Sequence, residues 1–272
     1  MNKSILSIGL PSTGKTTYLA ALWHVLESSE SDNFEIEILP DDREYLNRIR
    51  DLWLRCTEQE RTKLNITKEI KLKLRDKSSG AKFLLTFPDL SGELFQSQWE
   101  NRILTEDYLL KIQDTSCFLL FLHSTQMQKP ILIKQVNSIL NIDQLTSSEI
   151  KEWNILEAPT QVLVVELLQF ILEKKKEREN KLSIMISAWD LLNDSITPGK
   201  WLEIEYPLLY QFLQSNGNII KYQIFGVSAQ GGDYKSIKSD LLRLEPTRRI
   251  YVFDEHIVQR DIVYPLLWLL NV

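Results

Sequence analysis

The chain has 272 residues, 43% hydrophobic and 25% charged, a balance that excludes a disordered or low-complexity protein and can bury a full core as one large α/β domain. Its formal net charge of −5 opposes a general nucleic-acid or anionic-membrane surface, because those partners need a cationic field. The two cysteines, Cys56 and Cys117, lack CxxC spacing and fall in segments read as helix and strand, so they read as reduced core thiols. The start "MNKSILSIGLP" has no small-residue cleavage site. The apolar-rich "TQVLVVELLQFILE" and "IVYPLLWLLNV" fall short of the roughly 20 residues that span a bilayer. The expectation is a cytoplasmic protein without a membrane span.

Residues 4–9 read as a buried first strand, and 16–28 as a helix with Leu19, Leu22, Trp23 and Leu26 on one face. After a strand-like "FEIEIL", Pro40, Asp41 and Asp42 start a helix in "PDDREYLNRIRDLWLRCTE". "ITKEIKLKLRD" alternates Ile70, Leu72 and Leu74 with Lys71, Lys73 and Arg75, the pattern of a half-exposed strand. Turned by "KSSG", the chain continues into the more central strand "KFLLTFPDLSG", giving an antiparallel hairpin. "SCFLLFLH" and "LSIMISAWD" read as buried strands, and "PTQVLVVELLQFILEKKKER" as the helix between them. "PGKWLEIEYPLLYQFLQ" reads as helical, "IIKYQIFGVSA" as a strand and "RDIVYPLLWLL" as the closing helix. This alternation predicts a three-layer α/β sandwich: a mostly parallel sheet with one antiparallel edge hairpin and helices on both faces. A single domain over 1–272 is expected, with a helical insertion near 40–58 and a second insertion near 125–159 placed to meet a partner.

Between the first strand and helix, "GLPSTGKT" satisfies the phosphate-binding pattern GxxxxGK(S/T). Its glycines let backbone amides face phosphate and the helix N-terminus adds positive dipole. Lys15 reaches the β and γ phosphates, and the Thr16 hydroxyl can ligate magnesium. The loop alone does not separate kinases, ATPases and GTPases. "FPDLSGE" then places Asp89 at a strand end and Gly92 three residues later, as DxxG. The aspartate can hold magnesium through water, and the glycine amide can sense the γ phosphate. Asp190 ends the strand in "IMISAWD". A carboxylate there accepts from guanine N1 and the exocyclic amine, whereas adenine N1 is a bare acceptor. Trp189 reads either as packing for the base or as a core residue. "FGVSAQGG" ends the last strand with Ser228 and Ala229 at the same carboxyl edge.

Through "GLPSTGKT", "DLSGE", "SAWD" and "VSA" the sequence resembles Ras-like, translation-factor-related P-loop GTPases of the TRAFAC class. The inserted helix, "DLSGE", "ISAWDLL" and the terminal "RDIVYPLLWLL" look most like the bacterial double-GTPase group of conflict and defence operons. The resemblance implies GTP/GDP and magnesium as cofactors and phosphate binding by Gly9, Ser12, Thr13, Gly14, Lys15, Thr16 and Thr17. It further implies base binding by Asp190, Ser228 and Ala229, magnesium binding by Thr16, Asp89 and Thr62, and Lys15, Gly92 and Glu93 at the reacting phosphate. Thr67 is the alternative switch threonine.

Two departures oppose fast catalysis. Glu93 stands where a water-orienting glutamine would be, and a carboxylate beside a γ phosphate is repelled. Pro11 removes one amide donor from the cradle. Ser187 and Ala188 also replace the asparagine and lysine of NKxD. Arg61 reads as an exposed helix-end residue rather than an arginine finger. His24, His123 and His256 have no ligand-like spacing, so no zinc site or triad is expected. The expected function is a nucleotide-controlled switch for protein effectors or operon-encoded partners, with slow GTP hydrolysis and no direct nucleic-acid binding. A pseudo-GTPase scaffold and an ATPase of the same loop class are the alternatives.

Overall fold

The computed structural model describes residues 3–58, 69–88, 99–100, 104–130, 157–175, 180–192, 196–255 and 257–270. The apolar start folds as β1 (Lys3–Ile8), turns through the glycine loop and continues as α1 (Lys15–Glu27). There follow β2 (Phe34–Ile38), α2 (Arg43–Leu54), β3 (Ile70–Asp76) and β4 (Lys82–Phe87). The alternation in β3 works as its pattern requires: Ile70, Leu72 and Leu74 are buried while Lys71 and Lys73 are exposed.

A helix that the sequence reading did not assign, α3 (Glu106–Asp114), begins at Thr105, whose side chain accepts from the Tyr108 amide. β5 (Cys117–His123), buried along its whole length, leads to α4 (Thr160–Lys174), β6 (Asn180–Ser187) and a short 3₁₀ turn at Trp189–Leu191. The segment expected to be helical over 198–214 is so, as two helices, α5 (Pro198–Glu205) and α6 (Pro207–Ser215). Pro207 has no amide hydrogen and excludes the helical region for the residue before it, so Tyr206 takes φ −129° and ψ 55° and breaks the run. β7 (Ile220–Ser228), α7 (Lys238–Arg243), a 3₁₀ turn at Pro246–Arg249, β8 (Tyr251–Phe253), β9 (Val258–Gln259) and α8 (Tyr264–Leu270) complete the described elements.

The strands form one nine-stranded sheet in the order β2-β3-β4-β1-β5-β6-β7-β8-β9. The central five, β4-β1-β5-β6-β7, are parallel, and both flanks are antiparallel. The sheet is therefore mixed, not mostly parallel with a single antiparallel hairpin. The second antiparallel flank comes from β8 and β9, of three and two residues, too short to show a periodicity in sequence. Helices cover both faces: α1, α2 and α8 share one buried cluster with the sheet, and α3 to α6 share the other. This arrangement brings the ends of β1, β5, β6 and β7 to one edge, where an open α/β sheet holds its ligands.

Near that edge, Trp189 is buried against the strand after its own. A Cβ at Gly226 of β7 would lie 2.3 Å from the indole, so glycine is what lets the ring approach the strand. The indole stacks on Phe253 at 6.3 Å between centroids and meets Trp201 edge-on at 6.3 Å. Gly226→Ala is expected to destabilise the protein by about 1–3 kcal/mol, as overpacking does. Urea unfolding measures this, and an unchanged midpoint would show that the ring has room to move.

Candidate functional site

The loop from Gly9 to Gly14 has a backbone that side chains would obstruct. Gly9 has φ +138°, and a Cβ there would sit 2.7 Å from the Phe121 carbonyl oxygen of β5. Gly14 has φ +85°, and its Cβ would sit 2.7 Å from the Ser187 hydroxyl. Ser12 also takes a left-handed φ of 61°. Gly14 is the N-cap of α1 and provides no side-chain cap, and the first turn carries no acidic residue. The helix thus presents its first amides and positive dipole end to the loop without an internal anion.

Lys15 reaches back across this loop. Its Nζ donates to the carbonyls of Gly9 (2.9 Å) and Leu10 (2.6 Å) and to Thr13 Oγ1 (3.2 Å), which uses all three ammonium hydrogens. Thr13 Oγ1 in turn donates to the Leu10 carbonyl at 2.8 Å. Burial pushes the Lys15 ammonium down to about 7, since neutral oxygens replace water without supplying a counter-charge. Among the described residues such a lysine has no anionic partner. Thr16 and Thr17, both half-buried, follow in the first turn of α1.

The end of β6 is tied directly to this loop. Ser187, the last residue of β6, donates its hydroxyl to the Thr13 carbonyl at 2.8 Å. Ser124, just past β5, donates its hydroxyl to the Ala188 carbonyl (2.7 Å) and its amide to the Ser187 carbonyl (3.1 Å). Ala188 is left-handed, with φ 52°, and turns the chain so that Asp190 stands at the strand end. Sequence reasoning saw in Ser187 only a missing asparagine; its role as a bridge depends on a contact 174 positions away and left no local signal.

Both carboxylate oxygens of Asp190 are buried and hydrogen-bond to no described residue. Burial raises its carboxyl above the ordinary aspartate range, the nearby Ser228 hydroxyl opposes this, and the charge of Asp233 adds to it. Ser228, fully buried, accepts from the Gly231 amide at 2.9 Å. Ala229 follows it at the end of β7. Trp189, left open between base packing and core, is a core residue, 7% exposed.

The structure therefore brings together Gly9, Ser12, Thr13, Gly14, Lys15, Thr16, Thr17, Asp190, Ser228 and Ala229 at one sheet edge. Thr62, Thr67, Arg61, Asp89, Gly92 and Glu93 lie outside the described residues, as do 131–156 of the second insertion. β4 ends at Phe87, on the same edge as β1, two positions before Asp89. Among the described residues no group of three or more His, Cys, Asp or Glu could hold a metal ion. A magnesium ion bound by one hydroxyl, water and nucleotide oxygens needs no such cage, and the Thr16 hydroxyl is of that kind.

A glycine loop between a buried strand and a helix, in a mixed sheet covered on both faces, defines an α/β P-loop fold. The chain belongs to the Double-GTPase 1 family, whose model matches residues 6–269. Membership supports guanine-nucleotide binding. Among solved structures, the GTP-bound GTPase-like domain of S. cerevisiae Ski7 is similar at 17% identity and a TM-score of 0.45, covering 85% of this chain and 44% of that one. The same domain bound to GDP and inorganic phosphate gives 16% and 0.44, with 88% and 45% covered. A bacterial selenocysteine-specific elongation factor, EF-Sec, gives 13% and 0.42, with 90% and 30% covered. This chain spans less than half the length of each. No curated protein matches it. No helix among the described residues is long and apolar enough to cross a membrane.

A carboxyl whose pKa is higher in the folded than in the unfolded chain holds its proton better when folded. Its contribution to stability is therefore greatest in acid and is lost as pH rises through the aspartate range to the folded value. Asp190→Asn, which removes the charge, is expected to stabilise the nucleotide-free protein at pH 7 by on the order of 1 kcal/mol. The gain should shrink on acidification, as followed by urea unfolding at pH 4.5 and 7. Equal midpoints at pH 7 would mean that the carboxylate is satisfied in the free protein.

Proposed function

We propose that this protein binds GTP with magnesium, hydrolyses it slowly, and serves as a nucleotide-controlled switch for protein partners. The observation that carries the reading is the Asp190 carboxylate, buried beside Ser228 and Ala229 with the Ser228 hydroxyl near it but no well-formed hydrogen bond among the described residues, and braced to the phosphate loop through Ser187. Leaving such a group unmet costs free energy, and guanine presents two donors, N1–H and the 2-amine, that would meet it. Adenine presents an acceptor at N1 and would be repelled.

In this reading the Gly9–Thr17 segment holds the phosphates through its amides and Lys15. Thr16, with Asp89 and Thr62, would hold magnesium, which would supply charge neutralisation at the phosphates. Lys15 would exchange its present carbonyl partners for phosphate oxygens. The Gly92 amide would register the γ phosphate, and the segment containing Thr62 would respond to it. Glu93 beside that phosphate is repelled, so in-line attack by water is slow until a partner supplies the missing group. A scaffold that binds without hydrolysing is the second reading, favoured by Glu93 and Pro11. Single-turnover hydrolysis separates the two. We place partner contact on the insertion at 125–159, within one GTPase domain. From the resemblance to defence-operon GTPases, we assign the partners to a bacterial multi-protein system in the cytoplasm.

Calorimetry with non-hydrolysable GTP and ATP analogues and magnesium tests the binding step. The expected result is a preference for the GTP analogue of at least about 100-fold, as a site built around specific hydrogen bonds gives. Lys15→Ala is expected to abolish most of the affinity. Preference for the ATP analogue, or affinity unaffected by Lys15→Ala, would overturn the reading.

A further inference from the structure

The end of the inserted helix α2 is joined to the loop after β7 by two side chains that the nucleotide chemistry above does not use. Trp53, in the last turn of α2 and 0% exposed, donates its Nε1–H to the Ala229 carbonyl at 2.8 Å. Arg249, 3% exposed, lies with its guanidinium carbon 5.6 Å from the centroid of the Trp53 ring. Its Nη1 donates to the carbonyls of Leu54 (3.3 Å) and Trp53 (3.4 Å) and to Cys56 Sγ (3.2 Å). Those carbonyls belong to a helix end, where backbone acceptors lack intrahelical donors, so the guanidinium caps α2 from a distant part of the chain.

The loop is gripped from its other side as well. Gly231, with φ +85°, lies so close to Arg249 that a Cβ would come within 3.0 Å of that residue's carbonyl oxygen and Cβ. Among the described residues, Arg249 forms no ion pair with a carboxylate and its Nε has no hydrogen-bond partner. Burying a guanidinium against neutral partners is costly, and a plain helix cap would be met more cheaply by a glycine or water.

We infer that Trp53 and Arg249 are positioning residues for base recognition, which clamp the Ser228–Gly231 loop onto α2 and fix where its backbone amides point. The peptide bond supplies the link. In a trans peptide the carbonyl of one residue and the amide hydrogen of the next point in opposite directions. Pinning the Ala229 carbonyl toward α2 therefore turns the Gln230 N–H away from it, and that N–H donates to no described residue. A donor set in this way suits the 6-oxo acceptor of guanine, while Asp190 takes the N1–H and 2-amine. The inference rests on the reading of Asp190 and the Ser228–Ala229 loop as the base site.

Three non-hydrolysable triphosphates separate the two contacts: guanosine, inosine, which lacks the 2-amine, and 6-thioguanosine, whose sulfur is a weaker acceptor. Trp53→Phe keeps an aromatic ring but removes the donor; Arg249→Lys keeps the charge but removes the planar fork. In either variant we expect guanosine affinity to fall about fivefold, the worth of one hydrogen bond. The preference for guanosine over 6-thioguanosine should shrink with it, while the preference over inosine stays at the wild-type value. Melting curves identify a variant that has failed to fold, in which case the other decides. Loss of both preferences together, or retention of both, would overturn the clamp. A wild-type protein that binds guanosine and inosine triphosphates alike would overturn the base-site reading itself, and the clamp with it.

Discussion

The hydrogen bond from the Ser187 hydroxyl to the Thr13 carbonyl sets the distance between the two halves of the site. It joins the end of β6 to the phosphate loop and holds it close enough that position 14 tolerates no side chain, because a Cβ there would collide with the same hydroxyl. Gly14 is thus required twice, once for its left-handed backbone and once for the proximity of Ser187. Ser124 extends the brace to β5 by holding Ser187 and Ala188 from the far side. Three parallel strands therefore end in one hydrogen-bonded rim, and the spacing from phosphate loop to Asp190 is a property of the sheet rather than of flexible loops.

That rim carries several unfavourable local arrangements. Among the described residues, Lys15 is an ammonium with only neutral partners, Asp190 is a buried carboxylate without a well-formed hydrogen bond, and Ser12 and Ala188 are left-handed residues that are not glycine. Each costs stability in the free protein. An anion and a donor edge together would relieve the first two, and in the function proposed above one nucleotide brings both, phosphate at one end and hydrogen-bond donors at the other. The bulk of the two cores, by contrast, is apolar side chains packed on both faces of the sheet, and this supports the strain at the edge.

Much of this was legible in the sequence because it is local. The GxxxxGKT spacing, the continuous apolar runs of β1, β5 and β6 and the strict alternation in β3 each lie within a few residues of one another. What escaped is what depends on distance or brevity. β8 and β9 are shorter than any periodic signal, and the break at Tyr206 follows from Pro207 inside a segment whose apolar spacing is helical on both sides. Trp189 could not be placed from sequence, because its position depends on Gly226, Phe253 and Trp201 in other elements. Arg249 and Trp53 meet across 196 positions.

The most direct test of the account is the base preference of Asp190→Asn. Xanthine carries an oxygen where guanine carries the 2-amine, so a side-chain amide, which can accept from N1–H and donate to that oxygen, fits xanthine as a carboxylate fits guanine. The account predicts that non-hydrolysable xanthosine triphosphate binds the variant more tightly than the guanosine analogue, and that the wild-type protein shows the reverse order. An unchanged preference for guanosine in the variant would contradict the role given to Asp190.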